Sequence, residues 1–307
     1  MILSPLVWLG TRAQWVLAVG VVSALVIPGP GQLLEGTIPF WVTLLFALSM
    51  MRIDLVAVAR RAIGPRRLAR NAAICGAMML ASPVLVWWLA TTAGLPDNHV
   101  SSLVYTFAAP PLGSAAAFCL ILGFEAAVAI ELTVLGSLAS PITMPLVSRA
   151  LLGDAVPIDT DEMAGRLALV IGIGSAGALG ARLLMGAGRI QRHGTSFDGL
   201  SALILVVFLF PLFEGLPGVI ASAPTVAFGV LALCIASNLG VQIALLPLTR
   251  RIAGVPIGGA MALVAGNRNA ALALSSVPGD PMFALFVALY QFPMYFTPLV
   301  MRRIAGS

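Results

Sequence analysis

Polar side chains are scarce in this chain, so those lying inside its apolar stretches carry most of the chemical information. Gly266-Asn267-Arg268-Asn269-Ala270 sets a guanidinium between two amides in the middle of one apolar run. An arginine keeps its proton at any accessible pH, so Arg268 is a fixed cation, able to grip a carboxylate or to donate to backbone carbonyls. Glu131 lies inside another apolar run. An ionisable group at bilayer depth costs roughly 3 kcal/mol on insertion scales, so each needs a partner or a task. One reading pairs Glu131 with Arg268; another makes Glu131 a proton carrier. The amides of Asn267 and Asn269 also need partners there, which fits the lining of a polar site. Asn238 and Gln242, four residues apart, share one helical face.

Other chemistries find no support in the residue pattern. Cys75, Cys119 and Cys234 stand far apart in apolar surroundings, without disulfide or metal spacing. His99 and His193 sit in short polar segments with no metal partners nearby. There is no Gly-rich phosphate loop, no pair of acids at catalytic spacing and no Ser/His/Asp set, so neither an enzyme nor a cofactor is expected.

The elements that must hold these groups follow from composition. Of 307 residues 60% are apolar and 9% charged, with a mean hydropathy of +1.03. A water-soluble domain or a disordered chain is excluded by those proportions, leaving an all-α polytopic membrane protein. Apolar runs fall near residues 13–29, 37–53, 71–94, 101–123, 126–148, 164–186, 199–216, 223–248, 255–275 and 282–301. Ten transmembrane helices are expected, since about 20 residues cross the hydrocarbon core. The first run has no small-residue cleavage site after it and is read as retained.

All 17 basic residues are arginine, giving a formal charge of +5. Their clustering in short segments between apolar runs speaks against nucleic-acid binding. With the N-terminus in the cytoplasm, fourteen arginines fall on the inner side, among them Arg52, Arg60, Arg61, Arg66, Arg67, Arg70 and Arg182. Only Arg149 and Arg166 fall outside, beside acids including Glu35, Asp97, Asp154 and Glu214. That asymmetry places both termini in the cytoplasm of a multi-pass inner (plasma) membrane protein. Ten spans divide into two sets of five, 1–152 and 153–307. An odd number per set forces the second to insert upside down, as in inverted-repeat carriers. Gly113-Ser114-Ala115-Ala116-Ala117 and Gly266 to Ala270 are the expected breaks in the fourth and ninth helices.

Several stretches resemble the bile acid:sodium symporter family. They are Pro110-Pro111-Leu112-Gly113-Ser114, Gly123-Phe124-Glu125-Ala126-Ala127, Thr133, Ser140-Pro141-Ile142-Thr143-Met144-Pro145, Leu45 to Leu55, and Gly266 to Ala273. The resemblance implies broken fourth and ninth helices crossing in a core domain (helices 3, 4, 5, 8, 9 and 10) beside a panel domain (helices 1, 2, 6 and 7). It also implies two sodium ions near the crossing and an organic anion in the cleft. Residue by residue, the family's Ser-Asn pair falls on Ala115 and Ala116, its fifth-helix Ser on Ala129, its third-helix Gln on Met78, its ninth-helix Glu on Val264 and its Gln on Arg268. Asn269 and Thr133 keep the family's residues, and Ser114 adds a hydroxyl. Methyl groups offer no oxygen to a hard cation.

The expectation is therefore a sodium-independent secondary transporter of a small organic anion, working by alternating access. In it Arg268 replaces a sodium ion or contacts a substrate carboxylate. Arg268, Asn267, Asn269, Thr133, Ser114 and Glu131 are its candidate substrate- and ion-binding residues. The alternatives are a proton-coupled transporter or cation/proton exchanger using Glu131, and a channel or non-transporting scaffold. On the helix carrying Ala129 and Thr133, residue 131 points roughly the other way, against the carrier role. The expected partners are the anion and the lipid bilayer, with a homodimer left open.

Overall fold

The computed structural model describes residues 3–27, 29–34, 36–54, 57–58, 60, 64–153, 159–277 and 279–305. Glu35, Arg61 and Asp154, counted above for orientation, lie outside the described residues. Among the described residues every extended element is a helix, and the backbone adds one isolated antiparallel bridge, Pro111 with Arg268.

The helices are α1 (Leu3–Thr11), α2 (Ala13–Val26), α3 (Pro30–Leu33), α4 (Ile38–Met51), α5 (Pro65–Thr92), α6 (Asp97–Ala108), α7 (Ala115–Ile121) and α8 (Ala126–Leu152). They continue as α9 (Thr160–Met185), α10 (Ala187–Arg192), α11 (Gly194–Leu212), α12 (Leu216–Ser222), α13 (Pro224–Ala253), α14 (Val255–Gly266), α15 (Ala270–Ser276) and α16 (Pro281–Ala305). Six of them, α5, α8, α9, α11, α13 and α16, are long and apolar enough to cross a membrane, and the bent pair near the N-terminus makes up to seven. The other expected spans are short or broken: α4 and α14 are apolar but shorter, and the fourth run divides into α6 and α7.

The chain folds into two compact units that interleave along the sequence. One comprises Met1–Asp54 and Leu169–Ala227, the other Leu55–Ala168 and Phe228–Ser307.

In the first unit, glycines let helices touch backbone to backbone. A Cβ on Gly199 would stand 2.0 Å from the Leu6 carbonyl oxygen, and one on Gly10 equally close to that of Thr195. Gly174 likewise seats Phe46 of α4 against α9. Without a hydrophobic drive between helices in lipid, such close packing is a main source of cohesion. At the end of α4, Arg182 donates to the Met51 and Ile53 carbonyls at 3.1 Å each, satisfying acceptors that a helix C-terminus leaves open. Arg52 pairs with Asp198, and Arg182 lies 3.7 Å from Asp54.

The second unit contains two helix pairs of matched dimensions. α6 and α14 have 12 residues each, and α7 and α15 have 7 each. α5 and α13 both open on a proline and both contain a five-residue π segment, Ala77–Ala81 and Ala236–Gly240, at the same distance from that proline. The break between α6 and α7 falls at Ala109–Ser114, upstream of the expected Gly113–Ala117. Pro110 and Pro111 explain the difference: the first disfavours a helical Ala109, and neither has an N–H for the ladder. The second break, Asn267–Asn269, lies where the sequence placed it.

The backbone contact in the first unit is testable with two glycines. Gly199→Ala should lower stability by about 1–3 kcal/mol, because its methyl meets backbone rather than a movable side chain. Gly172→Ala, with open space around its Cβ, should be neutral or stabilising by up to about 1 kcal/mol. Thermal unfolding of the purified protein in detergent separates the two.

Candidate functional site

The two breaks meet inside the second unit. Leu112 N–H donates to the Asn267 carbonyl at 2.9 Å and Asn269 N–H to the Pro110 carbonyl at 2.8 Å, closing the bridge between them. Backbone polar groups buried at this depth must find partners within the protein, and the crossed breaks supply them for each other.

Arg268 stands at the centre of this crossing, 2% exposed. Its Nε donates to the Ala265 carbonyl at 2.8 Å, Nη1 to the Ala109 carbonyl at 3.2 Å, and Nη2 to the Met78 carbonyl at 3.0 Å and to Ser82 Oγ at 3.3 Å. The guanidinium carbon also lies 5.7 Å from the centre of the Phe107 ring. Among the described residues no carboxylate pairs with it. Its counter-charge comes from dipoles instead. Ala109 follows the end of α6 and Ala265 lies in the last turn of α14, so two helix C-termini, each equivalent to about half a negative charge, face one cation. Met78 lies in the π segment of α5, where the shifted ladder releases carbonyls from ordinary i to i+4 bonding, and Ser82 Oγ shares its oxygen at 2.5 Å.

A neutral network adjoins the crossing from the opposite π segment. Asn238 Nδ2 donates to the Gly266 carbonyl at 2.9 Å and lies 3.3 Å from Asn267 Oδ1. Gln242 Nε2 donates to Asn238 Oδ1 at 2.9 Å, and Thr297 Oγ1 reaches the same oxygen at 3.1 Å. Asn238, Gln242, Asn267 and Thr297 are all fully buried. Tyr290 donates its hydroxyl to the Gly266 carbonyl and accepts from Arg268 N–H at 3.2 Å.

The six residues expected at the site fare differently. Arg268 and Asn267 sit in the crossing. Asn269 is its edge: the side-chain oxygen accepts from Leu272 N–H and caps α15. Thr133 Oγ1 approaches the Leu112 carbonyl in the first break at 3.4 Å. Ser114 is exposed at the start of α7 and makes no cap bond, so it does not join the buried cluster.

Glu131 requires the largest correction. It is buried, yet its partners are Arg67 Nη2 at 2.7 Å, Arg67 Nε at 3.0 Å, Asn71 Nδ2 at 2.7 Å and Arg70 Nη2 at 3.7 Å, not Arg268. Glu131 occupies the second turn of α8, where it meets the opening turns of α5. It ties those two helices together. The spacing of Arg67 and Asn71, four apart and on one helical face, was the available signal for this clamp.

The groups that sequence reasoning missed are mainly backbone: the Met78, Ala109 and Ala265 carbonyls have no residue-type signature. Tyr290 and Thr297, rather than Gln291, reach the crossing from α16; Gln291 donates back to the Val287 carbonyl at 3.2 Å. Comparison of the sequence with protein-family models and with curated proteins finds no match.

Removing the guanidinium should strand the Ala109 and Ala265 carbonyls and take one of its two side-chain donors from the Met78 carbonyl. Arg268→Met is expected to cost about 3 kcal/mol or more, at about 1 kcal/mol or above per lost acceptor bond. Arg268→Lys should recover only part, since one ammonium cannot match the fork. Thermal unfolding of the detergent-solubilised variants reads both.

Proposed function

We propose that this protein is a secondary transporter of a small organic anion, working by alternating access in the inner membrane, and a sodium-independent relative of the bile acid:sodium symporters. The observation that carries the reading is the guanidinium of Arg268, held by backbone carbonyls where two broken helices cross. Two helix C-termini aimed at one point within a bilayer repel each other unless a cation lies between them. In carriers built on broken helices a bound metal ion can take that place. Here a covalently attached cation supplies the charge, so the crossing needs no ion to close it.

Further support comes from the paired dimensions of α6 with α14 and α7 with α15, and from the π segments at equivalent places in α5 and α13. These favour a ten-span chain of two inverted repeats, with both termini in the cytoplasm. The grouping of the helices into two compact units supports a panel and a core. All the donors described for Arg268 serve the protein itself, which favours the role of ion substitute over that of direct carboxylate ligand. The anionic cargo is what the resemblance to the bile acid:sodium symporters implies. Glu131, clamped by two arginines and an amide, has a structural task, which weighs against the proton-carrier alternative.

The test is uptake of a panel of organic acids into sealed liposomes containing the purified protein. Saturable uptake that is unchanged when choline replaces sodium is the expected outcome. Steep sodium dependence that persists in Arg268→Gln would overturn the ion-substitute reading. Uptake driven by a pH gradient and abolished by Glu131→Gln would replace it with the exchanger.

A further inference from the structure

Between α5 and α8 runs a groove of about 280 Å³ that plays no part in the crossing. Its α5 wall is formed by Leu68, Ala72, Gly76 and Leu80, and its α8 wall by Leu135 and Ala139, followed by Thr143. Small residues create it: Ala72, Gly76 and Ala139 leave a hollow between the leucines, and a Cβ on Gly76 would meet nothing within 4 Å. The lining is poor in polar groups, and its donors are engaged: the Thr143 hydroxyl donates to the Ala139 carbonyl at 3.1 Å and the Cys75 thiol to the Leu132 carbonyl at 3.9 Å. Leu68 and Leu80 are 45% and 40% exposed, so the groove opens outward, toward lipid.

Its length and its charged end identify the occupant. Leu68 to Leu80 spans about 18 Å of helix rise, close to the half-thickness of a hydrocarbon core about 30 Å deep. Glu131, Leu135, Ala139 and Thr143 follow one another at i, i+4 spacing on α8, so the ion cluster around Glu131 closes one end of the same stripe. That end is strongly cationic. Arg66 is exposed, and Arg67 and Arg70 are each 38% exposed, so three arginines stand beside Glu131, with Glu125 farther off at the head of α8. Partly exposed arginines at the end of a membrane helix suit the headgroup level, which long arginine side chains can reach.

We propose that this groove holds one acyl chain of an anionic phospholipid from the arginine-rich leaflet, with its phosphate on Arg66, Arg67 and Arg70. The site binds α5 to α8 from outside, beside the clamp that joins them from within. It depends on membrane insertion alone and stands whether or not the chain transports an anion.

Native mass spectrometry of the full chain, released from micelles containing equal amounts of dioleoyl phosphatidylglycerol and dioleoyl phosphatidylcholine, tests the proposal. The expected result is one retained phosphatidylglycerol, favoured over phosphatidylcholine by about tenfold. Arg66→Gln combined with Arg70→Gln should reduce that preference to about twofold or less. Gly76→Phe should remove the retained lipid altogether. Ala139→Leu, filling the groove from the other wall, carries the same test should Gly76→Phe fail to fold, and thermal unfolding reports the folding of each variant. Equal retention of the two lipids by the unaltered protein would overturn the proposal. So would a retained lipid in a folded groove-filling variant.

Discussion

A single cation facing the negative ends of two helices organises the second unit. α6 and α14 end within reach of the same guanidinium, and their breaks exchange backbone hydrogen bonds. Each arrangement would be unfavourable alone: a broken helix exposes carbonyls to hydrocarbon, and a buried arginine without a counter-ion is costly to desolvate. Together they satisfy one another. The π segment of α5 adds a third carbonyl, and the fork geometry of arginine lets one side chain serve all three at once. A point charge such as a metal ion could balance the dipoles, but it would not be tethered to the chain.

The structure separates its buried charges into two kinds of environment. Arg268 is stabilised by oriented dipoles and neutral acceptors, which fix its position. Glu131 is stabilised by full charges and an amide donated from α5, close to the arginine-rich end of that helix. The distinction follows from depth. The arginines of α5 remain partly exposed, so their charges stay solvated on one side while reaching Glu131 on the other. No such access exists at the crossing, where every polar group must be answered from within the fold.

The two units solve the packing problem by different means. Glycines of the first unit bring α1 and α11 into contact through their backbones, and arginine caps the end of α4. In the second unit, buried amides and hydroxyls from α13, α14 and α16 interlock around Asn267, so polar bonding adds to apolar contact. A network of that kind tolerates few rearrangements, since each member leaves another unsatisfied when it moves.

Composition and charge pattern alone establish an apolar helical chain suited to a bilayer, because hydropathy is a property of residue types. The break at Asn267–Asn269 and the importance of Arg268 were also legible, as a charge and two amides inside a long apolar run need partners or a task. The break at Pro110–Pro111 was written in the sequence too, though the small residues beside it drew attention downstream. What the sequence left undecided was partnership. Glu131 and Arg268 look like natural mates in one dimension, yet α5 carries closer cations to Glu131, and the guanidinium is answered by carbonyls. Backbone oxygens belong to every residue alike, so only the folded arrangement decides which of them are left free, and which cation they receive.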